Sequence, residues 1–375
     1  MPEKHAVLSA SSAHRWLECP PSAKLNAAAQ DTPSEYAAQG TDAHTLCEYK
    51  VRHYLGEKAE DPTPKLHYFD DEMADCTDSY LEYVIQQLEA AKEHSPDPLV
   101  LVEQRLDFSE YVPEGFGTGD CIIVSDDVLT VIDFKYGAGV EVSAETNPQM
   151  MCYALGALTL FDGLYDIKDI TMTIFQPRRD NISTCTASKQ ELLDWAENTL
   201  KPIAELAAKG EGDLKAGEHC RFCRVKATCR KRAEYNLTLA KYDFEMPAML
   251  EDAEVEAILA KADEFAAWIA DIKDYALQEA VKGKQWSAWK LVEGRSVRKY
   301  TDESKVAEAV REAGFDPYEQ KLLGITAMTK LLGRTKFEKL LGGLTEKPKG
   351  KPTLVPITDK RAAINSAADD FKEEN

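Results

Sequence analysis

The stretch Gly119-Asp120-Cys-Ile-Ile-Val-Ser-Asp-Asp-Val-Leu-Thr-Val-Ile-Asp133-Phe134-Lys135 constrains the fold more than any other part of this chain. Two apolar runs flank Asp126-Asp127, a pair whose composition suits a two-residue hairpin loop. Asp120 and Asp133 each lie six residues from their side of that loop. The hairpin therefore predicts them directly opposite one another, with Cβ atoms about 5 Å apart. Lys135 follows Asp133 by two residues and projects from the same face. Leu129 and Val131 share that face, so the acids sit at the polar end of an apolar strand, where burial is costly without a partner. Two ionised carboxylates at such range repel strongly, and a divalent cation between them removes the penalty. An Asp–Asp–Lys cluster is what metal-assisted phosphodiester hydrolysis requires. The carboxylates hold Mg²⁺ or Mn²⁺, the metal acidifies a bound water, and the lysine orients that water or balances phosphate charge. An ordinary hairpin with a polar solvent face is the plainer alternative.

Around this hairpin the pattern is α/β. Helices are expected over 8–19, 35–55 and 76–94, with an acidic loop at 59–75. Strands follow at 99–103, 119–125 and 128–135, then a helix over 147–161 entered through Asn147-Pro148. Strands near 168–175 and 182–187 precede a helix to 208 that opens with the capping box Ser188-Lys-Gln-Glu191. A mixed sheet flanked by helices is the architecture this implies. Beyond it lie a long helix over 250–281, a short β-ribbon at 286–300, a helix from Thr301, and a helical pair over 326–341. The second helix of that pair opens with the capping box Thr335-Lys-Phe-Glu338. From 347 the chain is basic and proline-containing, and an extended tail is expected. The resulting division is a core over 1–240, a mostly helical region over 241–345 and a tail over 346–375.

No apolar run approaches the roughly 20 residues needed to span a bilayer, and the first residues lack the pattern of a secretory signal, so a reducing cytoplasm is expected. In that setting clustered cysteines point to metal ligation before disulfides. Cys220-Arg-Phe-Cys223, then Cys229, with Cys19 far upstream, make a four-thiolate set that suits either zinc or a [4Fe–4S] cluster. Arg221, Arg224, Lys226 and Arg230 interleave this segment and are candidate DNA-phosphate contacts. The net charge of −20 excludes a protein that coats nucleic acid non-specifically but not a nuclease, whose site needs carboxylates.

Glu103, then Gly-Thr-Gly-Asp120, then Asp133-Phe134-Lys135 resemble the core of the RecB-type PD-(D/E)XK nucleases. Glycine stands where that group often has proline before the first aspartate. The resemblance implies a restriction-endonuclease-like fold. It makes Asp120 and Asp133 metal ligands, adds the Phe134 carbonyl as a backbone ligand, and makes Lys135 catalytic with Glu103 a further candidate. Gln149 and Tyr153, fourteen residues beyond the lysine and one helical turn apart, resemble the Q-x-x-x-Y element of the same nucleases. Gly40-Thr-Asp-Ala-His44 resembles their N-terminal element, whose histidine completes the metal shell, and Glu48 one turn later is placed to orient it or to lie at the surface. Imidazole suits Mn²⁺ better than Mg²⁺. One cysteine before the core and three after it resemble the iron–sulfur nucleases of CRISPR adaptation and recombination, which favours [4Fe–4S] over zinc. The whole chain also resembles a phage- and prophage-encoded family of unassigned function, which implies a bacterial host and phage recombination or replication proteins as partners.

The expectation is therefore a metal-dependent deoxyribonuclease, an exonuclease acting on DNA ends or single strands. The rival expectations are a non-catalytic DNA-binding or scaffold protein that keeps the metal clasp, and a zinc-clasped interaction module.

Overall fold

The computed structural model describes residues 6–29, 35–238, 250–293, 300–318 and 322–346. The expected tail from 347 and residues 294–299 of the expected ribbon lie outside them. The chain divides into two units, Met1–Gln278 and Glu279–Asn375.

In the first unit, the short helices α1 (Ala13–Glu18) and α2 (Ser22–Ala28) precede two long ones, α3 (Glu35–Tyr54) and α4 (Asp71–His94). Helix α4 starts within the expected acidic loop because Asp70 caps it, its carboxylate accepting from the Met73 N–H at 2.8 Å. The sheet holds β1 (Leu99–Asp107), β2 (Phe116–Val124), β3 (Val128–Phe134), β4 (Asp169–Gln176) and β5 (Asn181–Ser188) in sequential order. Strands β1, β2 and β3 form an antiparallel meander, and β4 pairs antiparallel with β5. The β3–β4 pair is parallel, its crossover made by helix α5 (Pro148–Phe161), so the sheet is mixed. Asn147 caps α5 with its side chain, and Pro148 fills the first helical position, where a missing N–H costs nothing. Helices α6 (Lys189–Trp195) and α7 (Lys201–Lys209) follow β5, joined by a π-helical turn, and the expected capping box is present at Ser188 and Glu191.

The sheet is covered on both faces. One face packs on α5 through Ile122, Val124, Leu129, Val131, Ile170 and Met172, all nearly or fully buried. The other packs on α3 and α4 through Cys121, Ile123, Ile132 and Phe134, against Leu46, Val51, Tyr80 and Val84. Each fully buried aliphatic or aromatic side chain contributes roughly 1.5–3 kcal/mol. Helix α5 can lie close to the sheet because it carries Gly156. A Cβ there would stand 2.8 Å from Leu106 Cβ and 3.2 Å from the Leu106 backbone.

Helix α8 (Arg230–Leu237) and the long helix α9 (Asp252–Val281) follow. In the second unit, Trp286 and Trp289 form one isolated antiparallel bridge where a ribbon was expected. Helix α10 (Glu303–Glu312) is capped by Asp302, and α11 (Ile325–Leu332) and α12 (Arg334–Leu341) make a helical pair. Helix α12 opens from Gly333 rather than at Thr335, the position expected from the sequence.

Candidate metal centre

The β2–β3 pairing follows the register that an Asp126-Asp127 loop dictates: Val124 faces Leu129, Ile123 Thr130, Ile122 Val131, and Cys121 Ile132. Ser125 closes the loop through its N–H and hydroxyl, both donated to the Val128 carbonyl. The next rung brings Asp120 and Asp133 to the same end of the hairpin. There the Phe134 N–H donates to Asp120 Oδ2 at 2.7 Å.

The same rung is disturbed on the other side. Strands β1 and β2 pair from Leu99–Val124 to Asp107–Phe116, but Glu103 opposite Asp120 is skipped. Glu103 has φ +51°, a left-handed conformation that costs a non-glycine residue about 1–3 kcal/mol. Its consequence is an inverted pleat. Before Glu103 the even-numbered Val102 packs on the α3–α4 side, whereas beyond it the even-numbered Leu106 packs on the α5 side. Strand β2 inverts at the matching place, since Gly119 faces Leu106 whereas Cys121 packs on the α3–α4 side. Residues of β1 and β2 that alternation alone would separate are thus turned toward helix α3.

Helix α3 supplies His44 there. Ala43, Leu46, Cys47 and Val51 anchor the helix in the core, and the His44 ring rests edge-on against Phe134 with centroids 5.4 Å apart. His44 Nδ1 lies 3.3 Å from Asp120 Oδ1. One ligand atom each from His44, Glu103 and Asp120 lie within 4.8 Å of one another. Ligands on opposite sides of a small divalent ion stand about 4.2 Å apart, so shifts of tenths of an ångström would let all three reach one cation.

Asp133 occupies the neighbouring strand and is 2% exposed. Its Oδ1 accepts from Gln149 Nε2 at 3.1 Å, and Gln149 in turn reaches the Tyr153 hydroxyl and receives Lys135 Nζ, each at 3.1 Å. Lys135 Nζ stands 2.9 Å from Asp133 Oδ2 as an ion pair without hydrogen-bond alignment, and that oxygen is buried with no hydrogen bond. The structure therefore gathers His44, Glu103, Asp120, Asp133, Lys135, Gln149 and Tyr153 at one end of the sheet. Phe134 contributes its N–H to Asp120 and its ring to the core. Glu48 does not touch His44; it pairs with Arg52 at 2.9 Å, and Asp120 holds the imidazole instead.

The charges are strongly coupled. Burial pushes the Glu103 carboxyl up to about 7, with the Asp120 charge adding to the effect. Burial lowers His44, but Asp120, Asp133 and Glu103 outweigh it and raise the imidazole to about 9. Burial acts to raise Asp120, yet His44, Lys135 and the Phe134 N–H hold it below the usual carboxylate range. Asp133 is raised by burial and by Asp120 against the pull of Lys135. Lys135, despite burial, is raised by the Asp133 and Asp120 charges and stays an ammonium. The cluster binds protons and cations at the same atoms, so a metal ion would compete with protons on His44 and Glu103.

The cysteine clasp is corrected. Cys19, Cys220, Cys223 and Cys229 line one small pocket with Arg15, His219 and Lys226. Among the described residues, however, the one ligand-spaced group of three or more metal-binding side chains is His44, Glu103 and Asp120. Neither a [4Fe–4S] cluster nor a zinc site is formed by these thiols. Two of them contact other groups of the protein: Asn26 Nδ2 donates to Cys223 Sγ at 3.2 Å, and Cys220 Sγ lies 3.7 Å from His219 Nε2 and donates to the Lys215 carbonyl at 4.0 Å. Cysteine spacing counts residues along the chain and does not fix the distance between the sulfurs.

The basic residues of that segment divide. Arg224 is tied to α2, its N–H donating to Asn26 Oδ1 at 2.7 Å and its guanidinium to the Asn26 carbonyl at 3.2 Å. Lys226 pairs with Asp271 of α9 at 2.7 Å, a partner that Arg232 shares. Arg221 and Arg230 are exposed.

Fold and site together define an α/β protein with a mixed five-stranded sheet and a histidine–carboxylate group of metal-ligand spacing at one end of it. The chain belongs to the family described as protein of unknown function, DUF2800, which matches residues 5–362. That description names no activity, and the expected membership of the RecB-like iron–sulfur nucleases is corrected with the clasp. A solved structure, that of SSO0001, matches 52% of this chain and 98% of its own at 16% identity. The TM-score of that match is 0.24. No helix among the described residues is long and apolar enough to cross a membrane.

Proposed function

We propose that this protein is a divalent-metal-dependent phosphodiester hydrolase acting on DNA. The observation that carries the reading is the convergence of His44, Glu103 and Asp120 within 4.8 Å, beside Asp133 and the charged Lys135. An imidazole with two carboxylates suits Mn²⁺. Asp133, on the adjoining strand with its Oδ2 2.9 Å from Lys135 Nζ, is a further candidate ligand. A bound divalent ion would supply Lewis acidity and lower the pKa of a coordinated water. Lys135 holds its proton, so it serves as a fixed positive charge for the scissile phosphate rather than as a base. Gln149 fixes the distance between Lys135 and Asp133 by bonding both, and Tyr153 holds Gln149. The finer fold reading, a restriction-endonuclease-like sheet, belongs to this proposal and is supported by acids placed on three adjacent strands. Exposed Arg221 and Arg230 are candidate phosphate contacts.

The test is digestion of labelled single- and double-stranded DNA, with free and blocked ends, in Mg²⁺ and in Mn²⁺. Mn²⁺-dependent cleavage that Asp120→Ala and Lys135→Ala abolish, with DNA affinity kept, is expected, and cleavage confined to free ends marks an exonuclease. A purified Asp120→Ala protein that cuts at the parental rate removes the assignment. DNA binding with no cleavage in either metal favours the scaffold alternative.

A further inference from the structure

One side chain controls the disturbed rung from outside the ligand group. Arg52 lies about two helical turns beyond His44 on α3, and its Nη2 donates to the Val102 carbonyl at 2.7 Å. That carbonyl and the Glu103 nitrogen belong to one planar peptide unit, the plane from which the Glu103 φ is set. The guanidinium is itself immobilised: Nε donates to Glu48 Oε1 at 2.9 Å and Nη1 to Glu57 Oε2 at 2.7 Å. All three nitrogens are engaged, and a planar fork held at three points cannot rotate away. Strand β1 is an edge strand, so among the described residues no further strand on its outer side pins this peptide.

We infer that Arg52 is a positioning residue that holds Glu103 in its left-handed conformation and so aims its carboxylate at the cation site. The inference rests on the metal-site reading above, and it adds a residue that touches none of the ligand oxygens. A left-handed glutamate reverts to an extended conformation unless its surroundings hold it. Arg52 supplies the hold by fixing the peptide that precedes it, and couples that peptide to the helix that carries His44.

The test uses the full chain with Arg52→Lys, which keeps the charge and loses the fork, and Arg52→Met, which loses both. Amide hydrogen exchange is measured with chelator present, and Mn²⁺ affinity by electron paramagnetic resonance titration. Both variants are expected to speed exchange in the segment spanning 100–106 while 128–134 keeps its protection. Mn²⁺ affinity is expected to fall roughly 10–100-fold, as for other outer-sphere supports of a metal ligand. In a Glu103→Gln background the Arg52 substitutions are expected to cause no further loss. Unchanged exchange at 100–106, or equal acceleration across the sheet, overturns the inference, as does a Mn²⁺ loss of the same size without Glu103. A parental protein that binds no Mn²⁺ removes the metal-site reading instead, and the exchange result still decides whether Arg52 sets the Glu103 backbone.

Discussion

Glu103→Gly is expected to make the protein more stable while destroying its metal site, and the size of the effect can be worked out. Two costs attach to Glu103. Its φ of +51° carries about 1–2 kcal/mol for a residue with a Cβ, which glycine does not incur. Its carboxyl, ionising near 7 instead of 4.5 because of burial and Asp120, carries an electrostatic cost of about 3 kcal/mol once fully ionised. The sign follows from the direction. The folded state binds the Glu103 proton more tightly than the unfolded state, so the penalty is absent below pH 4.5 and complete above about pH 7. Against these gains stands the greater unfolded-state freedom of glycine, roughly 0.5–1 kcal/mol. No hydrogen bond to the Glu103 carboxylate offsets the balance among the described residues. The net gain is expected to be about 3–4.5 kcal/mol at pH 8 and about 1–2 kcal/mol at pH 5. Urea denaturation with chelator at both pH values measures it, and Glu103→Gln isolates the electrostatic part because it keeps the backbone strain. A Glu103→Gly protein less stable than the parent at pH 8, or a gain identical at the two pH values, refutes the reasoning.

Mn²⁺ affinity is expected to weaken about tenfold per pH unit from 9 to 7 as His44 takes up its proton, and more steeply below 7 as Glu103 does too, read by calorimetric titration in buffers of different ionisation enthalpy. Gly156→Ala places a methyl 2.8 Å from Leu106 Cβ and 3.3 Å from the Asp107 nitrogen, and should lower stability by about 1–3 kcal/mol in the same denaturation assay. Tyr80→Phe removes a buried hydroxyl that has no partner, so stability should be unchanged or rise by up to about 1 kcal/mol. Cys220→Ser should leave both the metal content of the purified chain by elemental analysis and its Mn²⁺ affinity unaltered.

The sequence made the β2–β3 hairpin legible because a two-residue loop and period-two alternation leave one register, and Asp120, Asp133 and Lys135 follow from it. Gln149 was legible for a similar reason: helical spacing places it and Tyr153 on one face, and their distance along the chain from Lys135 matches one crossover. The left-handed Glu103 was not. Nothing in Val102-Glu103-Gln104 marks a broken ladder, since the cause lies in Arg52, about fifty positions upstream. The ligand-spaced group is accordingly His44, Glu103 and Asp120, where the sequence reading put His44 with Asp120, Asp133 and the Phe134 carbonyl. The cysteine segment misled because chain spacing does not report that Asn26, from α2, engages Cys223 and that His219 lies against Cys220. Similarly, Asp271 of α9 claims Lys226, which looks free in a linear reading.

The position of a bound divalent ion is the most direct test of the metal-site reading. Crystals grown with Mn²⁺ and measured on both sides of the manganese absorption edge should show an anomalous peak roughly 2.0–2.3 Å from His44 Nδ1 and from carboxylate oxygens of Glu103 and Asp120. No peak there at saturating Mn²⁺, or a peak among Cys19, Cys220, Cys223 and Cys229 instead, contradicts it.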